Sequence, residues 1–73
     1  MRITYSPKVD AAYIYLIDVL ASKETGTTFS YDPFETGSMI NLDFDSDGKL
    51  VGIEVIDASR LLPRELLDRA ERL

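Results

Sequence analysis

The chain has 73 residues, 13 acidic and 8 basic side chains, a formal charge of −5, and neither cysteine nor histidine. Those two absences exclude disulfides, thiolate metal sites, a cysteine nucleophile, and the commonest general base and transition-metal ligand. The length holds one domain, 1–73, and a chain of this size buries only about 60% of its unfolded surface, so its core is marginal and a second copy is the expected support, ahead of an oxygen-ligand metal.

Met1-Arg2-Ile3-Thr4-Tyr5 has no export-signal pattern and runs into strand-like residues; Ile3 and Tyr5 alternate with polar neighbours until Ser6-Pro7 ends the strand. Ala11 to Ile17 is β-branched and aromatic, apolar on both parities, and predicts a strand covered on both faces rather than a helix. The apolar stretch Ala11 to Ala21 is broken by Asp18 and too short to span a bilayer, so no membrane role and a cytoplasmic location are expected. Ser22 to Thr28, polar around Gly26, predicts a turn, and Thr27 to Tyr31 a third strand. Asp32 to Ser38 reads as a loop with one unexplained apolar residue, Phe34.

Ile40, Leu42 and Phe44 alternate with Asn41, Asp43 and Asp45, the period of a strand with one wet face. Asp45-Ser46-Asp47-Gly48 is a turn with glycine where positive φ is needed. Val51, Ile53 and Val55 return the alternation, with Gly52 and Glu54 on the opposite face. After Asp57 the period changes: Ala58 to Leu61 predicts one helical turn, and Pro63 opens a helix of about ten residues. Leu66, Leu67, Ala70 and Leu73 form its apolar stripe, while Glu65–Arg69 and Asp68–Arg72 stand at the favourable i,i+4 spacing. That stripe, Leu66, Leu67, Ala70 and Leu73, is the candidate partner-binding surface, on its own sheet or on another chain.

Asp43, Asp45, Asp47, Gly48 and Glu54 match the calcium-loop template D-x-D-x-D-G-x5-E. Strand-like flanks argue against it, because a calcium loop of that kind sits between two helices. A hairpin carries Glu54 roughly 20 Å or more up the return strand, too far to close a coordination shell. The expectation is an acidic turn, with no metal and no cofactor. Tyr5, Tyr13, Tyr15 and Tyr31 predict sheet packing with hydroxyls at the edge rather than a ligand pocket. Asp10, Asp18, Asp43 and Glu54 could supply a carboxylate pair, but no nucleophile or oxyanion donor accompanies them, and Ser6, Ser38 and Ser59 have no base. Arg60, Arg64, Arg69 and Arg72 alternate with Glu65, Asp68 and Glu71, as on a solvated helix face. No catalytic residue is expected, and the acidic balance disfavours nucleic acid.

Ile3-Thr4-Tyr5-Ser6-Pro7, Asp10-Ala11, and Tyr13-Ile14-Tyr15-Leu16 resemble the N-terminal half of the Domain of Unknown Function 2283 family. Its C-terminal half is matched by Ile40-Asn41-Leu42-Asp43-Phe44-Asp45, Asp47-Gly48, and Leu50 to Ser59, most specifically from Gly52-Ile53-Glu54 to Asp57-Ala58-Ser59. The resemblance implies a short prokaryotic protein with no established catalytic set, a hairpin turn at Asp47-Gly48, and an antitoxin-type partner role beside small toxin-like proteins. Ser22 to Ser38 is longer than the family's pattern, and Pro63 to Leu73 extends past its core.

The expected fold is α+β: an antiparallel sheet of four or five strands with a short C-terminal helix on one face. The expected function is a non-enzymatic protein-interaction module, homodimeric, an antitoxin-like partner of a small basic protein. The alternative is a small-ligand or weak cation-binding domain using the tyrosines or the acidic turn.

Overall fold

The computed structural model describes residues 1–17, 25–32, 35 and 37–73. Asp18, residues 22–24 of the turn expected over Ser22 to Thr28, and Phe34 lie outside the described residues, while Thr25 to Thr28 belong to a strand that begins two residues earlier than expected.

Six strands form one sheet: β1 (Arg2–Ser6), β2 (Ala11–Tyr15), β3 (Thr25–Tyr31), β4 (Ile40–Asp45), β5 (Leu50–Ile56) and β6 (Glu71–Arg72), in the order β3-β4-β5-β2-β1-β6. Two short helices, α1 (Ala58–Leu61) and α2 (Arg64–Arg69), separate β5 from β6. The α+β architecture is as expected, with three differences. Its strands number six rather than four or five. The sheet is mixed, because β6 pairs parallel to β1 while every other pair is antiparallel. The C-terminal helix is also shorter than its apolar period implies. Ala70 leaves it in an extended conformation, φ −71° and ψ 148°, and Glu71–Arg72 covers the otherwise open edge of β1. Main-chain pairing to that edge, joined by a two-pronged Arg2–Glu71 contact of 2.9 and 3.1 Å, replaces the last helical turn. Asp68 and Arg72 therefore never share a helix face.

Directly paired residues share a face, so the register sorts the sheet into two sides. On one side run the rows Ile3–Ile14–Ile53–Leu42–Phe29 and Tyr5–Ala12–Val55–Ile40–Tyr31. Tyr5, Ala12 and Val55 bury against Ala58, Leu67 and Ala70, with Ile3, Ile53, Leu61 and Leu62 around them. Both helices thus cover β1, β2 and β5. They do not reach the β4–β3 end, where Phe29 stays 60% and Tyr31 56% exposed.

The β4–β5 hairpin forms where alternation and turn chemistry agree. Gly48 takes φ 78°, its N–H donates to the Asp45 carbonyl at 3.0 Å, and Asp45 Oδ1 accepts from the Asp47 and Lys49 amides. A register shift follows: Asp43 pairs with Gly52 but Phe44 pairs with Leu50, so Val51 is the extra residue of a bulge. Leu50, not Val51, is therefore the cross-strand neighbour of Phe44.

Candidate functional site

The side of the sheet away from the helices carries the polar rows Arg2–Tyr15–Gly52–Asp43–Thr28 and Thr4–Tyr13–Glu54–Asn41–Ser30. These residues reach that face because each strand alternates, and every inward apolar residue pushes its neighbours outward. Gly52 has a specific reason to be glycine. The Tyr13 phenol lies over it, and a Cβ there would stand 2.6 Å from Tyr13 Cζ. Without that side chain, Tyr13 crosses β5 and donates its hydroxyl to Asp43 Oδ2 at 2.5 Å, while Thr28 donates to Asp43 Oδ1 at 2.7 Å. Tyr15 packs against Tyr13 with centroids 4.5 Å apart and ring planes tilted by 48°, and the Arg2 guanidinium lies 5.4 Å over the Tyr15 ring. Partial burial, then the bond to Asp43, pushes the Tyr13 hydroxyl well above its ordinary pKa, so it stays a donor.

Glu54 accepts from Asn41 at 2.8 Å, and Asn41 in turn accepts from Ser30 at 2.6 Å. Asp43 and Glu54 are thus positioned by hydroxyl and amide donors that carry no charge. Among the described residues no cation pairs with either. Arg2, the nearest guanidinium in the rows, is engaged by Glu71, whose carboxyl its hydrogen bond holds below the ordinary value. The result is a half-exposed platform of two tyrosine rings and two fixed carboxylates.

A second cluster joins residues far apart in sequence. Asp10 and Asp57 both take left-handed conformations, φ 53° and 63°, which aspartate tolerates better than most residues. The Asp10 carboxylate accepts from the Tyr5 hydroxyl at 2.6 Å, the Ser59 amide at 3.0 Å and the Ser59 hydroxyl at 2.7 Å. Its main-chain carbonyl accepts from the Ala58 amide, and Ser38 donates to Asp57 at 2.6 Å. This clasp closes the β1–β2 turn onto the β5–α1 junction, and Ala58 beside it is fully buried, leaving no room for a larger side chain. The bonds from Tyr5 first and Ser59 second hold the Asp10 carboxyl below the ordinary carboxylate range. The Ser59 hydroxyl is one of three donors to this carboxylate and so a member of the clasp. Only its main-chain torsions and its partner Ser59, 49 positions away, mark Asp10 as structural. Nothing local in the sequence carries that signal.

The calcium-loop residues are not brought together. Asp43 belongs to the Tyr13 contact, Asp45 caps its own turn, and Glu54 stands opposite Asn41 beyond the Leu42–Ile53 pair. Among the described residues no three acidic side chains converge as a metal site would require. The four-residue helix stripe is divided. Leu67 and Ala70 are buried in the protein's own core, contacting its own sheet. Leu66 is half-buried and lines a groove of about 300 Å³ with Ile3, Pro63, Glu65 and Arg69, while Leu73 stands exposed. Leu67 and Ala70 are thus unavailable to a partner, because the short α2 turns that face inward. No described helix is long and apolar enough to cross a membrane.

A family model described as "Protein of unknown function (DUF2283)" matches residues 2–59. The chain belongs to this family. No curated protein and no solved structure matches it. The DUF2283 match takes in both polar clusters and stops at Ser59, so α2 and β6 lie beyond it. Within the DUF2283 region, Gly52 makes room for Tyr13, Glu54 holds Asn41, and Asp57-Ala58-Ser59 builds the clasp with Asp10.

Proposed function

We propose that this DUF2283 protein is a non-enzymatic interaction module that receives a small basic protein on the open sheet face, in an antitoxin-like role. The observation that carries the reading is the pair Asp43 and Glu54, half-buried on a sheet face that no described helix covers and fixed there by neutral donors, so their charge is positioned but not cancelled by a described cation. Tyr15 beside them already carries one guanidinium, that of Arg2, over its ring, the kind of contact an arginine or lysine of a basic partner makes with an aromatic surface. The chain's −5 charge adds long-range steering toward a cationic surface. The basic nature of the partner follows from this electrostatics, and the antitoxin context from the family resemblance.

The test is capture of the partner by tagged full-length protein from its own lysate, beside an Asp43→Asn, Glu54→Gln double variant. A stoichiometric small basic protein, released by high salt and lost with the double variant, supports the reading. Retention of that protein by the double variant refutes the assigned face.

A further inference from the structure

We propose that the protein forms a two-fold dimer in which β3 pairs antiparallel with β3 of a second copy, extending each six-stranded sheet into one continuous sheet. The proposal concerns a different surface from the acidic face and does not depend on it.

Three observations lead to it. The first is the contrast between the two sheet edges. One edge is β6, two residues long, both charged and exposed, with the Arg72 guanidinium laid over the Tyr5 ring. The other is β3, seven residues from Thr25 to Tyr31 with neither a charge nor a proline, bulged at Gly26 and regular over the five residues from Thr27 to Tyr31. Free edges in monomers are shortened, charged or interrupted, and a long uncharged edge is a pairing template. Among the described residues nothing lies on the outer side of β3.

The second is the apolar surface beside that edge. Phe29 and Tyr31 project on the side that the helices cover elsewhere, next to half-buried Leu42 and Ile40, and stay mostly exposed. A two-fold axis normal to the sheet near Phe29 sets the two Phe29 rings against each other and Tyr31 against Thr27, with both apolar sides on the same face. Aromatic pairs across neighbouring strands are the contacts that stabilise such pairing.

The third is charge, which selects a second copy over a basic partner. Two chains of net −5 repel and must meet where neither presents charge. In the paired sheet the nearest facing carboxylates are Asp32, which follows β3 and falls opposite Gly26 of the second copy, and that copy's Asp45 on β4, two strand spacings or about 10 Å away, beyond the ~8 Å screening length at physiological salt. A cationic partner gains nothing at this edge and is drawn to the other face. The pairing also places both acidic faces on one side of the extended sheet.

Sedimentation velocity on the full chain, over a micromolar-to-millimolar range, is the test. The expected result is a species of twice the 8.2 kDa chain mass, little weakened by salt. Phe29→Lys and, separately, Tyr31→Lys should weaken the dimer by roughly 30-fold or more, the loss expected at an interface hot spot. Leu73→Lys, exposed on the far side, should leave it unchanged. Far-UV circular dichroism verifies the fold of each variant. Amide exchange of the unmodified chain gives a variant-free measure, with the amides of residues 25–31 that face away from β4 protected at high concentration and unprotected on dilution. A monomer throughout, a dimer untouched by both lysine variants, or exchange at 25–31 independent of concentration would each overturn the proposal.

Discussion

Replacing Gly52 by alanine should destabilise the protein, although in an ordinary strand the change gains about 0.5–1 kcal/mol by restricting the unfolded chain. The new Cβ would stand 2.6 Å from Tyr13 Cζ, so the phenol must leave the face of β5. A displaced ring gives up roughly a third of the 150–250 Å² an aromatic side chain buries, worth about 1.5–2 kcal/mol. Its hydrogen bond to the Asp43 carboxylate goes too, contributing about 1 kcal/mol at a partly wet site. Set against the glycine gain, the net loss is about 2 kcal/mol, a drop of roughly 8–16 °C in Tm for a domain this small. Thermal and urea unfolding of Gly52→Ala, Tyr13→Ala and the double variant form a cycle. In the Tyr13→Ala background, the Gly52→Ala change should become neutral or stabilising. An equal loss in both backgrounds would refute the steric account and place the cost in the main chain.

Asp10→Asn should cost about 1–2 kcal/mol at neutral pH, since three donors converge on a carboxylate that is partly wet. Because folding lowers the Asp10 pKa, the stability gap between wild type and Asp10→Asn should hold from neutral pH down to the ordinary carboxylate range. It should then close as pH falls through the lowered folded value; a gap unchanged in strong acid would refute the assignment. Val55→Ala, at a residue only 2% exposed between the sheet and Ala58, should cost about 2–3 kcal/mol by urea titration, a large part of the ~4–11 kcal/mol typical of 73 residues. Calorimetric titration with calcium should give no heat above a chelator-treated control, because Asp43, Asp45 and Glu54 are held apart by other partners. Saturable millimolar binding lost on Glu54→Gln would overturn that placement.

How far the fold was legible follows from how local its causes are. The β4–β5 hairpin was readable because alternation of Ile40, Leu42 and Phe44 and the Asp47-Gly48 turn act within a few residues. Strand β2, the helical turn at Ala58 and the helix start after Pro63 were readable for the same reason. Strand β2 nonetheless ends at Tyr15 rather than Ile17, and the helices cover only its Ala12 side, not both faces as its apolar run implied, because Tyr13 and Tyr15 stand half-buried on the other. The helix end was not readable. Leu66, Leu67, Ala70 and Leu73 keep a helical period, yet Ala70 extends, because the edge of β1 offers hydrogen bonds that no local pattern encodes. The Val51 bulge escaped detection for a similar reason, since alternation alone cannot report an unpaired residue.

The candidate site divides along the same line. Composition alone determined that cysteine and histidine chemistry is absent and that the chain is acidic, and alternation alone put Asp43 and Glu54 on the face opposite Leu42 and Ile53. Only the tertiary structure decided that Tyr13 would cross Gly52 to reach Asp43, that Asp10 would bind Ser59, and that the helices would stop short of Phe29 and Tyr31. The periodicity of a strand or helix is a property of neighbouring residues, which the sequence order carries. Which strands become neighbours, and which edge is left over, is set by the register of the whole sheet, where residues 30 and 49 positions apart come within hydrogen-bond distance.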